Sequence, residues 1–159
     1  MSFESVKKYF ESVGLGERVI ALEKSSATVE EAAVAIGCEG KQIAKTMSFF
    51  VDEKPVLIVM AGDARVDNKK YKAFFGQKAR MIPGDQVEEA VGHAPGGVCP
   101  FDVHEGVAAY LDVSLQRFER VFPAAGSGHS AVDLTIPELV EHAKSVGWID
   151  VCKGWYEDT

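Results

Sequence analysis

Lys45-Thr46-Met47-Ser48-Phe49-Phe50-Val51, followed by Asp52-Glu53-Lys54-Pro55 and then Val56-Leu57-Ile58-Val59-Met60-Ala61, is the stretch that decides the fold. Two apolar runs, enriched in aromatic and β-branched residues, flank a short polar connection, and that pattern predicts a β-hairpin. On the amino-terminal side, Phe3, Val6, Phe10 and Val13 keep helical spacing between Ser2 as N-cap and Gly14 as stop. Arg18 to Leu22 reads as a short strand. Thr28 with Glu31 forms a capping-box pattern ahead of the apolar positions Val29, Ala32, Ala33 and Ile36, ending at Gly37, and a further helical turn is expected over Gly40 to Ile43.

Beyond the hairpin, Asp67 is placed to cap a helix through Phe75, Ala79–Ile82 reads as a strand, and Asp85 with Glu88 marks a helix ending near Gly92. Val107–Leu111, Arg120–Ala124 and Ala131–Leu134 read as further strands, with Ser114 capping a short helix through Phe118. Thr135, Pro137 and Glu138 announce a helix to about Val146, and Trp148–Val151 suits a last edge strand. Hairpins mixed with short helices, without regular strand–helix alternation, predict an α+β fold.

At 159 residues the chain fits one domain over residues 1–159, long enough to bury a substantial core. With 47% hydrophobic and 26% charged residues it has the composition of a globular protein. No apolar run reaches the roughly 18 residues that a membrane helix needs, and the amino terminus lacks a signal peptide's apolar core, so a cytoplasmic location is the expectation. Cys38, Cys99 and Cys152 include no Cys-x-x-Cys pair, which argues against a disulfide framework or a structural zinc. The net charge of −7 argues against a general nucleic-acid binder. Yet Arg65–Arg80 carries six basic residues against Asp67 alone, a local +5 that leaves −12 for the remainder. Such a patch fits local contact to phosphates and equally fits a solvated helix face.

Gly92-His93-Ala94-Pro95-Gly96-Gly97-Val98-Cys99-Pro100-Phe101 can form neither a regular helix nor a central strand. Backbone amides held in such a loop suit a phosphate, a carboxylate or the oxyanion of an ester under hydrolysis; a plain surface turn accounts for the same composition. Cys99 with His93 or His104 forms a conceivable nucleophile–base pair, and a buried small residue is the alternative. His93, His104 and His129 lack metal-ligand spacing, and neither Gly62-Asp63-Ala64 nor Gly126-Ser127-Gly128 matches a dinucleotide or phosphate-loop pattern, so no metal or nucleotide cofactor is expected. Lys45 heads an otherwise apolar strand, where its amine needs an anion, a cavity mouth or solvent.

Gln42-Ile43-Ala44-Lys45-Thr46-Met47, Gly62-Asp63 with Val66-Asp67-Asn68-Lys69-Lys70, Gly96-Gly97-Val98-Cys99-Pro100-Phe101 and Gly126 to Leu134 together resemble the YbaK/ProX family of trans-acting aminoacyl-tRNA editing proteins, in order along nearly the whole chain. That family also occurs as an insertion domain of bacterial prolyl-tRNA synthetases. The resemblance implies a mixed, barrel-like β-sheet flanked by helices and an aminoacyl-tRNA deacylase that needs no cofactor. It makes Lys45 the functional lysine and Gly96 to Pro100, with Gly97, the Gly-x-x-x-Pro loop around the substrate ester. Thr46 stands where the alanine-editing branch usually has Asn; Thr46, Val98, Cys99 and Asp133 are then substrate-pocket candidates. Arg65, Lys69, Lys70 and Lys72 become candidate tRNA contacts. The implied partners are a mischarged aminoacyl-tRNA, with tRNA-Pro as a candidate, and prolyl-tRNA synthetase. A catalytically silent module that binds aminoacyl-tRNA or a synthetase is the alternative.

Overall fold

In the computed structural model, which describes residues 2–155, the predicted hairpin is the centre of the main sheet. The chain runs α1 (Ser2–Ser12), β1 (Val19–Ala21), α2 (Val29–Ile36), β2 (Ile43–Val51), β3 (Lys54–Ala61), β4 (Arg65–Val66), α3 (Asn68–Phe75) and α4 (Val87–Val91). It continues with β5 (Ala108–Asp112), β6 (Arg120–Pro123), β7 (Ser130–Val132), β8 (Leu134–Thr135), α5 (Ile136–His142), β9 (Gly147–Ile149) and β10 (Cys152–Lys153). Strand order in the six-stranded sheet is β8-β6-β2-β3-β5-β9, with β1–β7 and β4–β10 as separate two-stranded ribbons. The sheet is mixed: β2–β3 and β6–β8 are antiparallel, while β2–β6, β3–β5 and β5–β9 are parallel. The α+β class and the curled, half-barrel sheet agree with the expectation.

Asp52 and Glu53 turn the hairpin with φ of 52° and 66°. Two consecutive positive values are what a tight two-residue connection needs to match strand twist. Pro55 lies inside β3, opposite Phe50, rather than in the turn. Strand alternation then sorts the side chains. Phe49 and Tyr110 share one face, where Tyr71 and Phe75 of α3 pack against them with ring centroids 5.1 and 5.5 Å apart. Leu57 and Ala109 point the other way and pack with Ile82, Val87 and Val91 around α4. Leu57, Ile58, Val59 and Met60 are all essentially inaccessible, and each such side chain contributes about 1.5–3 kcal/mol relative to exposure.

The helix caps follow the sequence. Thr28 accepts from the Glu31 amide, Asp67 from those of Lys69 and Lys70, and Thr135 with Glu138 forms a reciprocal capping box. Other expectations shift. Ala79–Ile82 contributes only an isolated bridge, Met81 to Phe49, because it reaches β2 at its far end alone. Val87–Val91 is preceded by Gln86 rather than capped by Asp85, α5 stops at His142, and the region from Ala131 to Leu134 divides between two strands. No helix among the described residues is long and apolar enough to cross a membrane.

Candidate active site

A cavity of about 250 Å³ opens at the β6-facing edge of β2. Ile43 to Met47 form one wall, Gly96 and Val98 a second, and the segment Ser26–Val29 with Ala32 and Ile36 of α2 a third. Phe122, Ala124, Ser130 and Ala131 close it. The lining is apolar apart from the Lys45 side chain, a few hydroxyls and backbone groups. That is the usual make-up of a small-molecule site, with a few polar groups to set orientation.

Lys45 sits opposite Met60 in the hairpin register and is half-buried. Its Nζ lies 3.5 Å from the carbonyl oxygen of Gly62. Burial pushes the amine below its ordinary value, while Cys152, Asp63 and Glu30 pull the other way. The amine therefore has a weak neutral partner and gains from an anionic or strongly accepting ligand.

The glycine loop divides residue by residue. Gly96 has φ of +90°, and a Cβ there would touch Ala27 Cβ at 3.4 Å. Its own amide and that of Val98 make no backbone–backbone hydrogen bond among the described residues. Gly97 behaves differently. Its amide donates to Ala94 O at 3.0 Å, and a Cβ would fall 2.5 Å from the Ser127 amide nitrogen. Gly97 therefore permits the loop to pack on the Gly126–Ser127 turn, and its amide is already spent.

Cys99 and Pro100 are buried and do not line the cavity. Desolvation pushes the Cys99 thiol up to about 12, so no thiolate is present at neutral pH. His93 is likewise buried, and its Nε2 lies 2.7 Å from Phe101 O and 3.5 Å from Cys99 Sγ. A carbonyl accepts only, so Nε2 carries a proton and cannot take one from the thiol. His93 Nδ1 has no partner among the described residues. The pair that sequence spacing brought forward is thus a closed packing unit. No cluster of three His, Cys, Asp or Glu side chains suited to a metal occurs among the described residues.

Asp133 also lies outside the lining. It faces Arg120 at 3.4 Å, and its backbone carbonyl accepts from Arg18 at 3.1 Å. None of the four basic candidates lines the cavity. Lys70 is tied to Asp150 Oδ1 and Cys152 O, both at 3.0 Å. Lys69 and Lys72 are exposed and share a shallow depression with Lys78. Arg65 is exposed, pairs in register with Lys153, and lies near enough to Lys45 to disfavour its charge.

Residues 23–142 match the aminoacyl-tRNA editing domain, which covers most of the chain and all walls of the cavity. The chain belongs to this family. It is 50% identical over 156 residues to the uncharacterized protein YwhH of Bacillus subtilis (strain 168), covering 98% of this chain and 99% of that protein. It is 30% identical over 122 residues to the proline–tRNA ligase of Limosilactobacillus fermentum, a match spanning 71% of this chain but only 21% of the ligase. A solved structure described as a candidate trans-editing enzyme for prolyl-tRNA synthetase superposes with a TM-score of 0.85 at 30% identity, covering 96% of this chain and 98% of that one.

Within this editing domain, the family resemblance points to Lys45, Thr46, Gly96 and Val98, and the fold brings these four to one cavity. It does not point to Ser26, the α2 face or Phe122. The capping signal at Thr28 locates the start of α2, but only the packed chain shows that α2 turns Ala32 and Ile36 toward the β2 edge. Ser26 is held there by Ser130: the Ser130 amide donates to Ser26 Oγ at 3.0 Å, and Ser26 Oγ donates back to Ser130 O at 3.2 Å.

Proposed function

We propose that this editing domain is an aminoacyl-tRNA deacylase acting in trans on mischarged tRNA. The observation that carries the reading is the meeting of Lys45 with the unengaged amides of Gly96 and Val98 around one small, largely apolar cavity. An aminoacyl ester is already activated, so positioning and stabilisation of the oxyanion supply most of what hydrolysis needs. Water adds to the ester carbonyl carbon, the bond to the ribose oxygen breaks, and that oxygen leaves with a proton. The products are a free amino acid and a tRNA with its terminal hydroxyl restored. The loop amides face the charge that develops on the carbonyl oxygen. Lys45 supplies a cation that binds a terminal phosphate or orients the ester.

The likeness to part of a proline–tRNA ligase, and to a protein described as a candidate trans-editing enzyme for prolyl-tRNA synthetase, favours tRNA-Pro as the carrier. Exposed Arg65, Lys69 and Lys72 are suited to contact its acceptor stem, with Lys70 bracing the fold beneath them. A separate hydrolytic pocket is needed because a synthetase site rejects a smaller or similar side chain only weakly.

The test is single-turnover deacylation of tRNA-Pro charged in turn with alanine, cysteine, serine and threonine. At least one ester should turn over well above its spontaneous rate, and Lys45→Ala should slow it by about 10²-fold while leaving the fold intact. Binding without turnover of any ester would leave a silent module instead.

A further inference from the structure

The outer edge of β2 carries a gap one residue long. Residues on a strand direct their N–H and C=O to alternate sides with a period of two. Ser48 O accepts from the Ile82 amide at 3.1 Å and the Phe50 amide donates to Arg80 O at 2.9 Å, so even-numbered residues face away from β3. Ala44 follows the same rule and pairs with β6, whose register ends at Ala44–Pro123. Between these two stretches lies Thr46. Its N–H and C=O point the same way as those of its even neighbours and have no strand partner there, and Thr46 is part of the cavity wall. Its Oγ1 is buried and also lacks a partner among the described residues. A main-chain pair left open inside an otherwise satisfied edge is uncommon, because unpaired buried backbone groups are costly.

We propose that the aminoacyl group of the substrate fills this gap as a single surrogate strand residue. The inference rests on the deacylase reading and names what that site recognises. An α-aminoacyl ester carries a donor, its ammonium, and an acceptor, its ester carbonyl, on the same Cα. That is the complement a directly opposed, hydrogen-bonded residue presents in an antiparallel pair. The ammonium donates to Thr46 O, and the ester carbonyl oxygen, with its two lone pairs, accepts from the Thr46 N–H as well as from the loop amides. The cavity thereby recognises the main-chain portion common to amino acids, with the lining left to act on the side chain. The gap is bounded by β6 on one side and the Arg80–Ile82 segment on the other, so a longer acyl chain cannot continue along the edge. The substrate class is therefore an aminoacyl-tRNA with a free α-ammonium; peptidyl-tRNA and N-blocked esters are excluded.

Three measurements test this on the full-length protein. First, whichever of the alanyl, cysteinyl, seryl and threonyl esters of tRNA-Pro turns over is compared with its N-acetylated form, which should be hydrolysed at least about 10²-fold more slowly than the free form, each relative to its spontaneous rate. Second, Thr46→Pro deletes an N–H that no ladder uses, at a position where proline is tolerated in a strand. It should fold and lose about 10²-fold in rate, whereas Thr46→Val, which keeps the N–H, should lose far less. Third, hydrogen exchange of the Thr46 amide should slow at least tenfold when 3′-(L-alanylamino)-3′-deoxyadenosine or its seryl counterpart is added at saturation. This last readout needs neither turnover nor a variant that folds. Equal rates for free and N-acetylated esters, parent-like activity in a folded Thr46→Pro protein, or unchanged Thr46 exchange would each overturn the subsite. Lack of turnover by the parent protein on all four esters would instead overturn the deacylase reading, while protection of the Thr46 amide would still support the subsite.

Discussion

Ile43 to Met47 reach the cavity from a strand whose other edge is locked to β3 through eight paired residues. Gly96 and Val98 reach it from a loop with no ladder at all, braced by the Gly97 contact on Gly126–Ser127 and by buried Cys99 and Phe101. The strand wall is therefore positioned by regular hydrogen bonding, which tolerates changes of side chain. The loop wall is positioned by close packing against residues some thirty positions away in the sequence, which tolerates almost none. Damage to the loop should appear first in stability, and damage to the strand wall first in turnover.

The largest effect expected is from Gly97→Ala. The added Cβ meets backbone atoms of Gly126 and Ser127 that cannot swing aside, so unfolding in urea should show a loss of about 3 kcal/mol or more. A loss under about 1 kcal/mol would mean that the loop is not held by this contact.

A smaller effect is expected at the Arg18–Glu138 ion pair. Arg18 makes a two-pronged contact with Glu138 at 2.8 and 3.1 Å and also binds Asp133 O, joining the turn just before β1 to α5 and the β7–β8 connection. The Arg18 guanidinium holds the Glu138 carboxyl down at about 2 from its ordinary 4.5. A depressed carboxyl value means that its stabilisation is present above about pH 4.5 and is lost as pH falls through about 2. Glu138→Gln should cost about 1–2 kcal/mol at neutral pH. The difference from the parent should shrink between pH 4.5 and 2 in denaturant titrations. A pH-independent difference would assign the cost to altered packing around residue 138 rather than to the ion pair, since Gln keeps the capping-box acceptor for the Thr135 amide.

Gly96→Ala should cost about 1–2 kcal/mol, because its φ of +90° is unfavourable for any residue with a Cβ. Unlike Gly97→Ala, it should also slow deacylation in the protein that remains folded, since Gly96 lines the cavity. Parent-like turnover per folded molecule would remove Gly96 from the site.

The smallest effect is expected at Cys99. The thiol is fully buried and protonated, so Cys99→Ala should cost about 1 kcal/mol and leave single-turnover rates within about twofold of the parent. Abolished turnover in a folded variant, or an acyl group trapped on Cys99, would reverse the assignment.

The sequence by itself determined the elements whose causes lie within a few residues. The β2–β3 hairpin follows from two apolar runs around Asp52-Glu53, and the caps at Thr28, Asp67 and Thr135 follow from side chains that reach amides two or three positions ahead. Lys45 at the head of an apolar strand, and Gly96 within a glycine–proline loop, were legible for the same reason. Only the tertiary structure decided that β6 runs parallel beside β2 and stops at Pro123, that Gly97 is a packing contact while Gly96 faces the cavity, and that Cys99 is closed off against His93. It also decided that Lys70 is tied to Asp150, 80 positions away, while its neighbour Lys69 stays exposed. These outcomes turn on which distant segment occupies a strand edge or covers a loop. A strand's hydrophobic pattern fixes which face is buried, but its N–H and C=O groups are the same at every residue, so nothing local marks Thr46 as the one left without a neighbour.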